Sequence, residues 1–210
     1  MMRRKLMDFS PETTPLREAM AVSGWRAALW PVLLIAASMA SSLHFVCAVP
    51  FAAFAAVTAI TMRRQAVLPV IVAIWLSNQL IGFLVLGYPW TADCFYWGVA
   101  MGVAAVLAAL AAQFVHCCLA RSMPKTMPLL AIVGAFIIFE LSLLVTSGVV
   151  LGGGTKDFTM SIMAYLLVIN AAAFAGLLAL YRVGSSYGVF GARPLRGATA
   201  RHMHGATFLK

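Results

Sequence analysis

The chain is a succession of long apolar runs separated by short connectors, and the connectors carry most of the charged residues. Six of these runs predict membrane-crossing helices. They cover residues 27–43, 48–62, 66–87, 94–119, 127–151 and 158–181. Apolar and polar residues do not alternate within the runs, as they would in the strands of a membrane barrel. The predicted fold class is therefore an all-α integral membrane protein, a bundle of six transmembrane helices.

The first two predicted spans belong to one apolar stretch that is too long for a single crossing. At roughly 1.5 Å per residue, a helix over residues 25–62 would exceed a hydrocarbon core of about 30 Å. Residues 41–50 include two serines, a histidine and a proline, which favour a break in the helix. A tight hairpin of two spans is predicted there.

Three regions follow from this pattern. Residues 1–24 are predicted to form a cytoplasmic arm, in which Thr14 and Pro15 begin a short helix that lies on the membrane surface. Residues 25–182 form the six-helix transmembrane domain. Residues 183–210 are a basic cytoplasmic tail rich in Gly and Arg, without apolar periodicity.

Composition supports the membrane assignment, and the placement of charge gives an orientation. The 210 residues are 63% hydrophobic and 10% charged, with mean hydropathy +0.95, whereas a soluble domain has about 25% charged residues. The net charge of +9 is concentrated in the arm, after spans two and four, and in the tail. Under the positive-inside rule this places both termini in the cytoplasm of a bacterium, with the chain multi-pass in the inner membrane. The basic tails predict anionic lipid, not nucleic acid, as their partner.

Polar residues recur at one depth in three of the predicted spans. Counted from the cytoplasmic ends, Asn78, Glu140 and Asn170 lie roughly 18–20 Å into the membrane, and Gln79 follows Asn78 around the helix. Either the two asparagines satisfy each other as hydrogen-bonded contacts between helices, or the layer is a ligand site. Glu140 is the only carboxylate deep in a predicted span, which favours a function: it would bind a ligand or take up a proton.

An aromatic, acid-bearing segment follows the third predicted span on the outer side. It contains Tyr88, Trp90, Asp93 and Trp97. One interpretation is an interfacial aromatic belt, where Trp and Tyr normally lie. The other is a lid over the polar layer, with aromatic faces stacked on a flat ring and Asp93 as a polar contact. The candidate ligand-binding residues are accordingly Asn78, Gln79, Glu140, Asn170, Tyr88, Trp90, Asp93 and Trp97.

Small residues recur at four-residue spacing in several spans, including Ala36 and Ala40 in the first. This spacing allows close helix packing, either inside the bundle or against another membrane subunit. The sequence shows no nucleophile–base pair and no metal-protease motif. No enzyme activity, catalytic residue or metal site is therefore predicted. The cofactor is left unassigned. A pigment or metal on His44 or His116, and a disulfide between Cys47 and Cys94, stay open.

The predicted features are six spans with both ends inside, Ala36-x-x-x-Ala40 in span one, and an outer loop over a polar layer. In these features residues 25–182 resemble the substrate-binding S subunit of energy-coupling factor vitamin transporters. The resemblance is architectural. It implies docking of Ala36 and Ala40 onto a transmembrane coupling subunit, and capture of a vitamin or precursor without chemistry. Energy would come from ATPases on other chains.

These observations predict a solute-binding transport subunit. It would take a small vitamin-like or metal-cofactor-related solute from the outer side and rely on partner membrane subunits for energy. Two alternatives remain open. One is an accessory or scaffold subunit of a respiratory, photosynthetic or oxygenase complex. The other is a proton-coupled carrier that uses Glu140.

Overall fold

This computed structural model describes residues 14–45, 49–150 and 159–190. Within these ranges all regular secondary structure is helical. Side chains are described from residue 28 onward within these ranges, together with Trp25 and except for residues 149 and 150. The helices are α1 (Thr14–Phe45), α2 (Phe51–Thr61), α3 (Arg64–Leu84), α4 (Ala92–Leu119), α5 (Met127–Val145) and α6 (Met160–Ser186). A single π-helical turn, Thr146–Val150, extends α5.

Five of these helices, α1 and α3 to α6, are long and apolar enough to cross a membrane. The second predicted span differs from expectation, because α2 has only 11 residues. At about 1.5 Å per residue it is roughly 16 Å long, about half of a hydrocarbon core. The apolar run over residues 48–62 is therefore not one full-length transmembrane helix.

The first helix also differs from expectation at both ends. It is continuous from Thr14 to Phe45, so the short surface helix predicted to begin at Thr14 is instead the first part of α1. Ser41 and Ser42 do not interrupt it, because their hydroxyl groups donate to the carbonyl oxygens of Ala37 and Ser38, at 2.8 and 2.9 Å. Serine satisfies its own polarity in this way inside a membrane helix. The break falls later, between Phe45 and α2, and residues 46–48 lie outside the described residues.

Helix α2 is the centre of the bundle. Ten of its eleven residues are buried, and it packs against α3, α4, α5 and α6. Close approach is possible because α2 is rich in alanine and because α4 turns a row of small side chains inward, all buried: Ala104, Ala105, Ala108, Ala109 and Ala112. The small-residue spacing in these two helices therefore serves packing inside the molecule.

Helices α1 and α6 lie at the periphery. Helix α1 packs on α3, and the indole N–H of Trp30 donates to the hydroxyl of Thr61 at 2.8 Å. Helix α6 packs mainly on α2 and has only Ile169 and Asn170 buried among its residues. The exposed surfaces of α1 and α6 are apolar, as membrane-facing helices require.

Candidate ligand-binding cavity

A cavity of about 370 Å³ lies between α3, α4, α5 and α6, against the first residue of α2. It is lined by side chains from five helices and two connecting segments, and most of these side chains are apolar or aromatic. The lining residues are Val49, Phe51, Asn78, Gln79, Tyr88, Pro89, Cys94, Trp97, Met101, Phe139, Glu140, Leu143, Leu166 and Asn170. The four polar residues predicted from the sequence are all among them.

The short helix α2 begins at this cavity. Val49 and Pro50 precede it in non-helical conformation and are buried, and Val49 and Phe51 line the cavity. The first backbone N–H groups of a helix have no partner within the helix. Here the N–H of Ala53 donates to Oδ1 of Asn170 at 3.1 Å, across from α6. Non-helical backbone at membrane depth is tolerated where protein buries it or where it lines a cavity, and broken helices often mark transporter binding sites.

The two asparagines bind other partners and not each other. Nδ2 of Asn78 donates to the hydroxyl of Ser42 at 2.7 Å, and Nδ2 of Asn170 donates to the carbonyl oxygen of Leu166 at 2.9 Å. The alternative in which Asn78 and Asn170 satisfy each other is therefore wrong. Each amide instead holds its own helix in place, Asn78 by joining α3 to α1 and Asn170 by joining α6 to α2.

Glu140 brings a buried carboxyl group to the cavity. It is 6% exposed, lines the cavity, and forms no hydrogen bond or ion pair with any residue that the structure describes. An ionised carboxylate in apolar surroundings is costly unless a cation or hydrogen-bond donors accompany it. The residues described around Glu140 do not supply such a partner, which leaves the carboxyl group available to a ligand.

Gln79 borders two spaces. It lines the cavity and also an apolar groove of about 320 Å³ on the outer surface between α3 and α4. Its side chain lies directly on Gly98, where an added Cβ would be 2.6 Å from Oε1. The indole N–H of Trp75 donates to the carbonyl oxygen of Gly98 at 2.8 Å and joins the same two helices. Gln79 thus stands between the cavity and the membrane-facing side of the molecule.

The aromatic residues that follow α3 lie partly at the cavity and partly outside it. Tyr88 and Trp97 line the cavity. Tyr88 folds back onto α3 because Gly82 leaves room for its ring: a Cβ there would be 2.5 Å from the ring carbon Cε2. Its backbone N–H donates to the carbonyl oxygen of Gly82 at 3.0 Å. These two aromatic side chains therefore border the same cavity as the polar residues.

Trp90 and Asp93 do not belong to the cavity, and their prediction as ligand contacts is not supported by their positions. Trp90 is 70% exposed and packs on Phe83, with ring centroids 5.0 Å apart, on the outer groove. Asp93 is exposed in the first turn of α4, where a carboxylate interacts favourably with the helix dipole. Tyr88 and Trp97 line the cavity whereas Trp90 and Asp93 do not, and the spacing of these residues along the sequence does not reveal that difference.

The remaining predicted features lie away from the cavity or are incomplete. Ala36 and Ala40 are exposed on the outer face of α1. Cys94 is a free thiol that lines the cavity, whereas Cys47 lies outside the described residues. His116 contacts the sulfur of Met127 at 3.4 Å. Within the described ranges, no three His, Cys, Asp or Glu side chains come together in a way that would hold a metal ion.

Sequence reasoning missed the apolar part of the lining and the polar contact between Ser42 and Asn78. Phe51, Phe139, Met101 and Leu166 cannot be told from core residues in an apolar run. Ser42 was interpreted as part of a helix break and is instead the partner of Asn78. A signal for the broken helix was present: Pro50 lies within an apolar segment too short for an ordinary span.

Comparison of the chain with protein-family models, with curated proteins and with solved structures gives no match. The class of protein is therefore defined by the fold and the cavity alone. The chain is a multi-pass helical membrane protein by the length and composition of its helices, and it has a largely apolar internal cavity with a few convergent polar groups.

Proposed function

We propose that this protein is a solute-binding subunit of a membrane transporter. The observation that carries the proposal is the cavity of about 370 Å³ in which Glu140 is buried without a protein partner among the described residues. Small-molecule sites are concave, mostly apolar and supplied with a few polar groups, and their volumes run from about 300 to 1,000 Å³. A scaffold subunit would need neither the space nor the unpaired carboxyl group.

The proposed topology has six crossings, with both termini in the cytoplasm of a bacterial cell and the chain in its inner membrane. Helix α2 and the non-helical segment before it would together make the second crossing. The hydrogen bond between Trp30 and Thr61 supports this, because it sets the end of α2 level with the start of the apolar part of α1, Ala28–Phe45. Arg63 and Arg64 follow α2 directly, and positive residues favour the cytoplasmic side.

The exposed face of α1 is proposed as the surface for a partner membrane subunit. Ala36 and Ala40 lie on that face beside Val32 and Leu43, which are also exposed. Small residues on an outward face let another helix approach closely. In this proposal the partner subunits supply energy, and the chain itself captures the solute from the outer side without catalysing a reaction.

A substitution that fills the cavity tests the proposal, because it should prevent the protein from retaining a bound small molecule. Leu166 of α6 lines the cavity, and its neighbour Leu167 is 46% exposed on the outer surface. The wild-type protein, Leu166→Trp and Leu167→Trp would be extracted in mild detergent and analysed by mass spectrometry for bound small molecules and proteins. We expect a stoichiometric small molecule on wild type and Leu167→Trp and its loss from Leu166→Trp, because the larger side chain occupies the same space.

Retention of the same molecule by a folded Leu166→Trp protein would contradict the proposal, as would the absence of any bound molecule in all three proteins. Stoichiometric redox subunits, or a visible absorption spectrum, would instead favour a scaffold. Uptake of solute by this chain alone in vesicles, abolished in Glu140→Gln, would favour the proton-coupled carrier.

A further inference from the structure

The polar atoms that face the cavity have an uneven balance of donors and acceptors. Glu140 brings a carboxyl group without a partner among the described residues. Asn78 uses its amide nitrogen on Ser42, which leaves its Oδ1 as an acceptor. Oδ1 of Asn170 accepts from the backbone N–H of Ala53, and Nδ2 donates one hydrogen to the carbonyl oxygen of Leu166, so only its second hydrogen remains for a ligand. Among the amide side chains that line the cavity, only Gln79 forms no hydrogen bond in the described structure, and it offers one donor group and one acceptor.

The charges around the cavity have one sign. Among the described residues that line the cavity there is no Lys, Arg or His, and Glu140 is the only ionisable side chain apart from Cys94 and Tyr88. The N-terminus of α2 adds a partial positive charge of roughly +0.5, which opposes the carboxylate. That partial charge is smaller than the full negative charge of a carboxylate. One of the N–H groups at this helix end, that of Ala53, already donates to Oδ1 of Asn170. The site therefore favours a ligand that brings positive charge.

The rest of the lining suits a flat apolar body. Aromatic rings come from four elements: Phe51 at the start of α2, Phe139 on α5, Trp97 on α4 and Tyr88 in the loop. Phe51 and Phe139 already stack, with centroids 5.8 Å apart. Aromatic faces attract cations as well as flat rings, and the attraction grows when the site excludes water.

We infer that the solute is a small organic cation with a flat apolar body, whose charged nitrogen pairs with the Glu140 carboxylate between aromatic rings. This inference rests on the proposed function and specifies its substrate class. A protonated amine or a quaternary nitrogen heterocycle meets the description. A carboxylate or phosphate solute does not, because it would have to lie against Glu140 without a cationic side chain.

The test compares three probes of similar shape and different charge: N-methylquinolinium, quinoline in alkaline buffer, and naphthoate. Binding would be measured by calorimetry with the full chain in nanodiscs of phosphatidylglycerol, whose lipid has no ammonium group to compete. We expect N-methylquinolinium to bind about tenfold or more tightly than quinoline, as a charge-assisted contact implies, and naphthoate to bind weakest.

Variants assign the preference to Glu140. Glu140→Gln keeps the shape of the side chain and removes its charge, so the advantage of N-methylquinolinium over quinoline is expected to disappear while quinoline binding changes little. Asp93→Asn removes a carboxylate that is exposed outside the cavity and is expected to keep the advantage. Glu140→Asp retains the charge and is expected to keep part of it. Size-exclusion elution of each variant reports its folding.

Two failures can be told apart. If all three probes bind equally, or naphthoate binds best, while Leu166→Trp abolishes binding, the cation inference is overturned and the solute-binding function stands. If no probe binds and no molecule is retained on extraction, the proposed function and the inference fall together. Loss of the cation preference in Asp93→Asn but not in Glu140→Gln would also overturn the inference.

Discussion

Asn170 shows how one side chain supports both the fold and the site. Its Oδ1 accepts from the N–H of Ala53 in the first turn of α2, and its Nδ2 returns to the carbonyl oxygen of Leu166 within α6. The residue lines the cavity at the same time. A buried backbone donor left without a partner costs about 1–3 kcal/mol, so this contact fixes α6 against the central helix.

Asn170→Ala should therefore lower the free energy of unfolding by about 1–3 kcal/mol, because the N–H of Ala53 loses its acceptor. Asn170→Asp keeps an oxygen beside the N-terminus of α2, where a carboxylate is favourable, and should lose less. Denaturant-induced unfolding in detergent, followed by circular dichroism, measures both. Equal losses in the two variants would mean that the contact between α6 and α2 does not depend on this acceptor.

Helix α2 differs from the other helices in its burial and contacts as well as in its length. Its residues are buried on all sides, its first turn meets the cavity, and its last residue, Thr61, is bonded to Trp30 of α1. That bond joins two helices that are otherwise not major packing partners. The position of the first turn of α2 at the cavity therefore depends on contacts at both of its ends.

A double-mutant cycle tests the bond at the far end of α2. Trp30→Phe and Thr61→Val should each destabilise the protein, and their effects should couple by about 0.5–1.5 kcal/mol, the net value of one hydrogen bond. Thr58 provides a matched control, because its buried hydroxyl donates to Phe54 and Ala55 within α2 and not to Trp30. The cycle of Trp30→Phe with Thr58→Val should give a coupling near zero. Unfolding in detergent supplies the free energies.

The molecule as a whole is arranged so that charge and connectors alternate between two sides. On one side Asp93 lies in the first turn of α4, next to the loop that follows α3, and on the other side the connector between α4 and α5 carries Arg121 and Lys125. In the proposed topology, which follows the positive-inside rule, the first side would face outward and the second would face the cytoplasm. Two exposed aromatic residues on the first side, Trp90 in the loop and Tyr96 in α4, would suit the outer membrane interface.

Labelling in intact cells tests this orientation. In a background in which the four native cysteines are replaced by serine, Asp93→Cys should react with a membrane-impermeant maleimide added outside. Lys125→Cys should react only after the cells are lysed, because the proposed topology places its loop in the cytoplasm. The reverse pattern would invert the topology. Labelling of both positions in intact cells would mean that the two loops share one side and that the number of crossings between them is wrong.

The sequence by itself determined the class of the molecule and the residues at the polar depth of the bundle. Helical runs of apolar residues and their charge placement are local properties, and a fixed rise per residue places Asn78, Glu140 and Asn170 at one level without knowledge of their neighbours. Their meeting at one cavity follows from that level once the helices pack together.

The tertiary structure decided the partners of those residues, the length of α2 and the direction of the loop aromatics. Asn78 pairs with Ser42 and Asn170 with α2 because packing brings those helices together, and hydrogen-bond partners far apart in sequence leave no periodic trace. Tyr88 turns inward because Gly82 on another turn makes room for its ring. Such choices depend on the shape of the neighbouring surface, which side-chain chemistry along the chain does not encode locally.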